Sequence, residues 1–577
     1  MKAVDQIVLS MPVAASPVVA RIGEVFARQV ARRCPARVVA SESAPLVVAL
    51  AVESGIGAEG FRIEDRSGGG VRIVGNDARG LLYGVGKFLR ASRYERDGFV
   101  PGSWRGSSVP WKPVRGIYFA THFHNFYHQA PIEQIENYVE DLALWGLNEL
   151  LVWYDLHHFK APDDPEAVVF RERLRAVMAA ARRIGMDVSL TLIGNEGYAD
   201  SPEALRATPG AGRGGYYPCG VCPSRPAGMA YLLKTMGTTF DWVADLAPRS
   251  IWVWPYDQGG CGCEACRPWG SQGFMACVER IRGLARAKLP DTKLVVSTWY
   301  MDPQEIAAVM ERLSRQPDLA DGLVIEGPVP AAAAALGLPV AGFPEISMHA
   351  TFPWGGFGAT PLPARAQAQW DRVKSQVAGG FPYSEGIYED VTKAVYSQFY
   401  WGDRPAAETV REYIAFEFSP DVVDEVAAVV ETLERNHHFR WWPGLLDGVK
   451  LMLDWFPSRG AEPRGDPGAE AARRTMEAVD ARLTPQARRS WRWRQLLLRA
   501  RLDAELKAAG GAPTPLCEAA FAELIELYHA HHADPVVRPP LARDYVTATV
   551  LGWPPGVARK QRVMGVRNAG STSSAKA

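Results

Sequence analysis

Two rhythms of hydrophobic and polar positions alternate along the chain: a short apolar run, then a stretch with apolar residues every three or four positions. From Val114 to about Trp401 eight such runs recur, namely Val114–Phe119, Glu149–Tyr154, Asp187–Ile193, Ser250–Pro255, Lys293–Trp299, Gly322–Ile325, Phe343–Met348 and Gly380–Tyr383. Short, nearly continuous apolar runs are the pattern of strands covered on both faces. The clearest helix follows the first run: Pro131 opens it, Glu133 and Glu136 sit in its first turn, and Ile132, Ile135, Val139 and Leu142 share a face up to Gly146. Strand–helix alternation over roughly 250 residues or more predicts an α/β chain built on a (β/α)8 TIM barrel, here across 111–402.

The pattern differs on either side. Residues 1–110 predict a small α/β accessory domain. Its strands are Gln6–Leu9 and Leu46–Val52, followed by a hairpin of Phe61–Asp65 and Val71–Val74 around Ser67-Gly68-Gly69-Gly70. Its helices are Val18–Arg33, with Ile22, Phe26 and Val30 on one face, and Asp77–Ala91. The first twenty residues are mildly apolar but broken by Pro12, Ser16 and Pro17, so they are read as strand then helix rather than as a secretion signal. Beyond Trp401 the helical rhythm continues without strands, through Thr409–Phe418, Pro420–His437 and Pro485–Lys507. This predicts a C-terminal helical domain over 403–567, and the small polar residues 568–577 predict a disordered tail.

Composition narrows the partners. With 64 Lys+Arg against 64 Asp+Glu, the chain of 577 residues has no electrostatic footprint for nucleic acid or an anionic membrane. No apolar run approaches the ~20 residues that span a bilayer. Eight cysteines are too few for a disulfide scaffold, which favours a reducing, cytoplasmic setting. A homo-oligomer is left open. The 10% aromatic content suits an uncharged or weakly charged ligand.

Barrel chemistry stands at the C-terminal ends of the strands, where loops are free to vary. There the sequence places carboxylates beside indole and phenol rings. Asp257, Glu326, Glu345 and Glu385 are the candidate catalytic acids. Around them the candidate substrate-binding residues are His122, His124, Trp153, Tyr154, Asp155, Glu196, Trp254, Tyr256, Trp299, Tyr300, Trp354 and Tyr383. Glycosidic cleavage needs such a set: one protonated acid for the leaving oxygen, a second carboxylate as nucleophile or base, and flat rings to stack on sugars. The expectation is hydrolysis of a terminal sugar without a catalytic cofactor. A carbohydrate-binding barrel without hydrolysis is the alternative, and a lyase or isomerase using His122 and His124 is a weaker third.

Two motifs carry a resemblance. Val71-Arg72-Ile73-Val74-Gly75-Asn76-Asp77-Ala78-Arg79-Gly80-Leu81-Leu82-Tyr83-Gly84 resembles the accessory domain that precedes the barrel in β-N-acetylhexosaminidases and α-glucuronidases. Tyr383-Ser384-Glu385-Gly386-Ile387-Tyr388-Glu389-Asp390 resembles the end of the barrel in α-glucuronidase-like glycoside hydrolases, and Pro344-Glu345 with Pro353-Trp354-Gly355-Gly356 is similar to the same group. If the likeness extends to a uronic acid substrate, a basic residue such as Arg115 or Lys160 would meet its carboxylate. The hexosaminidases carry Asp-Glu after the fourth strand, whereas this chain has Asp257-Gln258. Gln258 has no acidic proton, so the proton donor would be Asp257 or an acid on another strand; Asp257 is the favoured acid, with Glu326, Glu345 or Glu385 as its partner.

Cys219, Cys222, Cys261, Cys263 and Cys266 fall in the loops after the third and fourth runs. Their C-x-x-C spacings suit a structural zinc held by four thiolates. Disulfides in an exported protein and free reduced thiols are the alternatives.

Overall fold

The computed structural model describes residues 2–12, 14–40, 44–121, 125–210, 219–255, 259–347, 352–353, 358–438, 465–510 and 514–529. The accessory domain is a six-stranded sheet in the order Arg37–Val39, Gln6–Ser10, Leu46–Val52, Val71–Gly75, Phe61–Asp65, Gly106–Ser108. Helices Pro17–Arg33 and Ala78–Ala91 pack with it. Its turn into the second helix explains the Gly-Asn-Asp motif. Asn76 Oδ1 accepts the backbone N–H groups of Gly55, Ile56 and Gly57 at 3.0–3.1 Å. Asp77 caps the helix through Gly80 N–H (2.8 Å) and also takes Glu59 N–H (2.8 Å). At Gly84 a β-carbon would meet Ile73 and Phe61 of the sheet at 2.8 and 3.1 Å, so only glycine lets this helix sit so close.

Eight parallel strands close into a barrel: Val114–Phe119, Glu149–Trp153, Asp187–Ile193, Ser250–Trp254, Lys293–Ser297, Gly322–Ile325, Val340–Gly342 and Gly379–Gly380, the last pairing back to the first. Two strands differ from expectation. The seventh ends before Phe343 rather than beginning there, because Pro344 has no N–H to continue a ladder; its carbonyl instead accepts Tyr383 N–H (2.9 Å). The eighth is split by Pro382, and Tyr383–Ser384 resumes pairing with the first strand.

Helix Asp390–Gly402 follows the eighth strand and packs on the first, and helices Ala406–Glu417, Val423–Arg435, Ala469–Arg482, Trp491–Ala508 and Pro515–Tyr528 form the helical layer beside the barrel. The expected long helix over Pro485–Lys507 is two, because Ser490 breaks it and caps the second through Arg492 N–H (3.3 Å). The helical region also holds a two-residue strand, His437–His438, paired with Phe352–Pro353. The segment 568–577 lies outside the described residues. Among the described residues no helix is long and apolar enough to cross a membrane.

Candidate active site

Strand geometry sorts the mouth of the barrel from its wall. Side chains alternate faces with a period of two, so on the second strand Leu151 and Trp153 enter the barrel while Leu150, Val152 and Tyr154 join the outer core. The expectation for Tyr154 is therefore corrected: its ring packs outside the barrel against Phe159 and Trp242, and its hydroxyl meets that of Tyr198 at 3.2 Å. Inside, the upper layer is a continuous aromatic floor. Trp254 packs edge-on to Phe343 (4.8 Å) and near Trp299 (5.8 Å). Tyr118 bridges Phe343 (5.4 Å) and Tyr383 (5.5 Å). The sequence reading missed Tyr118 and Phe343; their inward parity on the first strand and just past the seventh was the available signal. The buried Trp254 Nε1 finds no acceptor among the described residues.

Tyr300, just after Trp299, has φ +58°, a left-handed conformation unfavourable for a bulky side chain. Its ring lies 5.6 Å from that of Trp299. Such strain persists only where surrounding structure enforces it, and it concentrates at functional sites.

Three carboxyls rise from consecutive strands above this floor. Glu345 is buried, and its Oε1 accepts Ser347 N–H at 2.7 Å. Ser347 Oγ then donates to Tyr383 O (3.0 Å) and accepts Glu385 N–H (3.1 Å), tying the exits of the seventh and eighth strands together. Glu385 is buried, and Tyr383 donates its hydroxyl to Oε1 at 3.2 Å. Burial pushes the Glu385 carboxyl well above the usual range, the charges of Glu345 and Glu389 push it further, and the Tyr383 bond opposes them only in part. Burial and then Glu345 do the same to Glu326. Glu345 thus acts electrostatically on both neighbours.

The loop carrying Glu385 is held from behind. Glu389 Oε2 accepts Ser384 Oγ–H (3.1 Å) and Gly386 N–H (3.2 Å), and buried Lys393 reaches Glu389 at 3.6 Å, Tyr138 Oη at 2.8 Å and the Gly386 carbonyl. Tyr528, from the last described helix, donates to the Glu385 carbonyl at 2.7 Å. A β-carbon at Gly386 would lie 2.3 Å from that tyrosine's oxygen, so the approach requires glycine. Ser347, Glu389, Lys393 and Tyr528 were not among the expected site residues.

On the opposite side of the mouth Glu196 is buried beneath the turn Leu156–His158. It accepts Trp153 Nε1–H (3.4 Å) and His157 N–H (3.2 Å), and stands 2.5 Å from His157 Nδ1. Asp155 pairs with His158 Nδ1. Asp155, His157 and His158 lie close enough to share an ion, but the Nδ1 of each histidine already faces a carboxylate. Burial, followed by the charge of Glu196, pushes the Tyr118 hydroxyl well above its usual range, so the floor links this side to the Glu345 side. Arg115 is fully buried beside Glu59 at the seam with the accessory domain, not at the mouth, which corrects its expected role as a sugar-carboxylate partner. His122, His124, Tyr256, Asp257 and Trp354 lie outside the described residues.

Four of the five loop cysteines gather: Cys222, Cys261, Cys263 and Cys266 have their sulfurs within 4.8 Å of one another. Cys219 stands apart, turned into the barrel-mouth cluster with Ile193 and Trp254. A cavity of about 700 Å³ lies elsewhere, lined by Arg32, Arg33, Tyr138, Asp141, Glu417 and Trp491 among others. Its charges pair with each other, Arg33 with Glu417 and Arg32 with Asp141, as expected of a domain seam.

No protein-family model matches the sequence, and no curated protein matches it at a significant level. Solved structures do match in fold. A family GH115 4-O-methyl-α-glucuronidase with specificity for decorated arabinogalactans aligns with a TM-score of 0.58 at 9% identity, covering 94% of this chain and 78% of that one. A family GH89 protein from Clostridium perfringens, solved with its substrate GlcNAc-α-1,4-galactose, aligns at 0.56 and 11% identity over 89% of this chain and 64% of that one. A family GH138 enzyme targeting pectin rhamnogalacturonan II aligns at 0.52 and 12% identity over 90% and 92%. At such identities the likeness is one of fold.

Proposed function

We propose that this chain is a glycoside hydrolase that removes a terminal sugar by paired-carboxylate catalysis at the barrel mouth. The observation that carries the reading is that Glu326, Glu345 and Glu385 follow consecutive strands beside an aromatic floor, with Glu345 near enough to bear on the other two. A carboxyl kept protonated by burial and a neighbouring charge is a proton donor at neutral pH. Glu385 takes that role, oriented by Tyr383, and passes its proton to the glycosidic oxygen as the C–O bond breaks. Glu345, held by the Ser347 N–H, is the charged partner that attacks the anomeric carbon or takes a proton from water. Glu326 is a second carboxyl whose proton affinity is raised, and Asp257 stays in the proposed set as the other candidate donor. Tyr118, Trp254, Trp299, Phe343 and Tyr383 supply the rings on which sugar faces stack. The glycoside hydrolases that share the fold support the reaction class but not the sugar. The low cysteine content favours a cytoplasmic setting.

The test is turnover of a panel of aryl and natural glycosides by wild type, Glu345→Gln, Glu385→Gln and Asp257→Asn. Loss of a positioned acid or base is expected to cost about 10²–10⁴ in rate, with sugar binding retained by calorimetry. Equal rates in all four proteins would remove these acids from the mechanism. Tight sugar binding by wild type without turnover would make the barrel a binding protein instead.

A further inference from the structure

We propose that Cys222, Cys261, Cys263 and Cys266 form a tetrahedral zinc site that fastens the loop after the third barrel strand to the loop after the fourth. A tetrahedron of thiolates at a Zn–S distance of ~2.3 Å has sulfurs about 3.8 Å apart. Cys222 Sγ stands 3.8 Å from Cys263 Sγ and 3.9 Å from Cys266 Sγ. A disulfide would need ~2.05 Å, and none of the eight cysteines forms one. An iron–sulfur cluster puts several irons and bridging sulfides between its thiolates and spreads them wider.

The surroundings suit charged sulfur. Thr208 N–H donates to Cys261 Sγ at 3.3 Å, and Ser224 Oγ lies 3.1 Å from Cys222 Sγ and 3.5 Å from Cys263 Sγ. Donors of this kind orient and steady metal ligands. Cys261, Cys263 and Cys266 come from one tight loop, closed by the turn Glu264–Cys266, and Cys222 arrives from the other. Four protein thiolates leave no open position, so the metal is structural.

Asn195 connects the site to the mouth. Its Nδ2 donates to Val221 O (3.2 Å) and Gly260 O (3.1 Å), and its Oδ1 accepts Gly260 N–H (3.1 Å). Each cysteine loop therefore meets Asn195 one residue before its first metal ligand, and Asn195 is followed by Glu196. The metal clamps both loops onto Asn195 and so sets the backbone that presents Glu196.

The test is elemental analysis of the purified full-length protein, followed by cobalt substitution. About one zinc per chain is expected, with Co²⁺ giving the intense visible and thiolate charge-transfer bands of a tetrahedral four-sulfur site. Cys222→Ser and Cys266→Ser should lose the metal, whereas Cys219→Ala should keep it. If the serine variants fail to fold, the cobalt spectrum of wild type decides alone. Wild type that takes up neither zinc nor cobalt after reduction, an intact mass lacking thiol hydrogens, bound iron with sulfide, or zinc retained by Cys222→Ser would each overturn the proposal.

Discussion

The buried Glu385 carboxyl makes opposite demands on stability and function. Burial, and then Glu345, raises Glu385 above its ordinary value of 4.5. An acid whose proton is held more tightly when folded adds stability below that ordinary value and loses it as pH climbs through the raised one. Glu385→Gln keeps the shape without the titration. The variant should melt with wild type near pH 4 and above it at pH 8, while turnover collapses. Calorimetry across that range measures it, and a gap independent of pH would place the Glu385 proton elsewhere. Residue-level legibility followed the same physics. The positions of Glu326, Glu345 and Glu385 past strand ends were readable from the apolar runs, but Trp153 and Tyr154, adjacent in the chain, could not both face the mouth. Ser347 and Lys393 carried no signal, since their roles depend on contacts with distant segments of the chain.

At the scale of elements, most barrel strands were legible to within a residue because apolar runs mark their ends, whereas the accessory-sheet edges Arg37–Val39 and Gly106–Ser108 were not expected. The misplaced ones contain Pro344 and Pro382, where a missing N–H interrupts the ladder inside an apolar run. The accessory-domain elbow gives a direct test of local chemistry. Asp77→Ala removes the acceptor of both Gly80 and Glu59 N–H groups, and should cost about 1–2 kcal/mol. Asp77→Ser should recover most of it. Urea unfolding of the two variants beside wild type supplies the comparison.

Across the whole molecule, one guanidinium binds several layers together. Buried Arg492, from the helical region, lies 2.7 Å from Asp390, 3.0 Å from Asp141 of the first barrel helix and 3.7 Å from Glu417, which also pairs with Arg33 of the accessory domain at 2.6 Å. Arg492→Met leaves buried acids without their partner and should cost about 3–5 kcal/mol near neutral pH. Burial alone would raise Asp141, but Arg32 and Arg492 outweigh it and hold the carboxyl well below its usual range. That stabilisation exists above the ordinary aspartate value and fades as pH falls, so the variant's deficit should shrink in acid. Chemical unfolding at two pH values checks both statements. The architecture was readable from the rhythm of runs, but this seam was not, because its members lie as far apart as Asp141 and Arg492, 351 positions along the chain.

The hydroxyl of Tyr528 reaches the backbone of Glu385 from 143 positions downstream. A ribosome therefore delivers every barrel strand long before it delivers this last brace. Until helix Pro515–Tyr528 has been made, the Glu385 backbone lacks this hydrogen bond. A chain cut before residue 528 would leave the Glu385 carbonyl without its tyrosine donor.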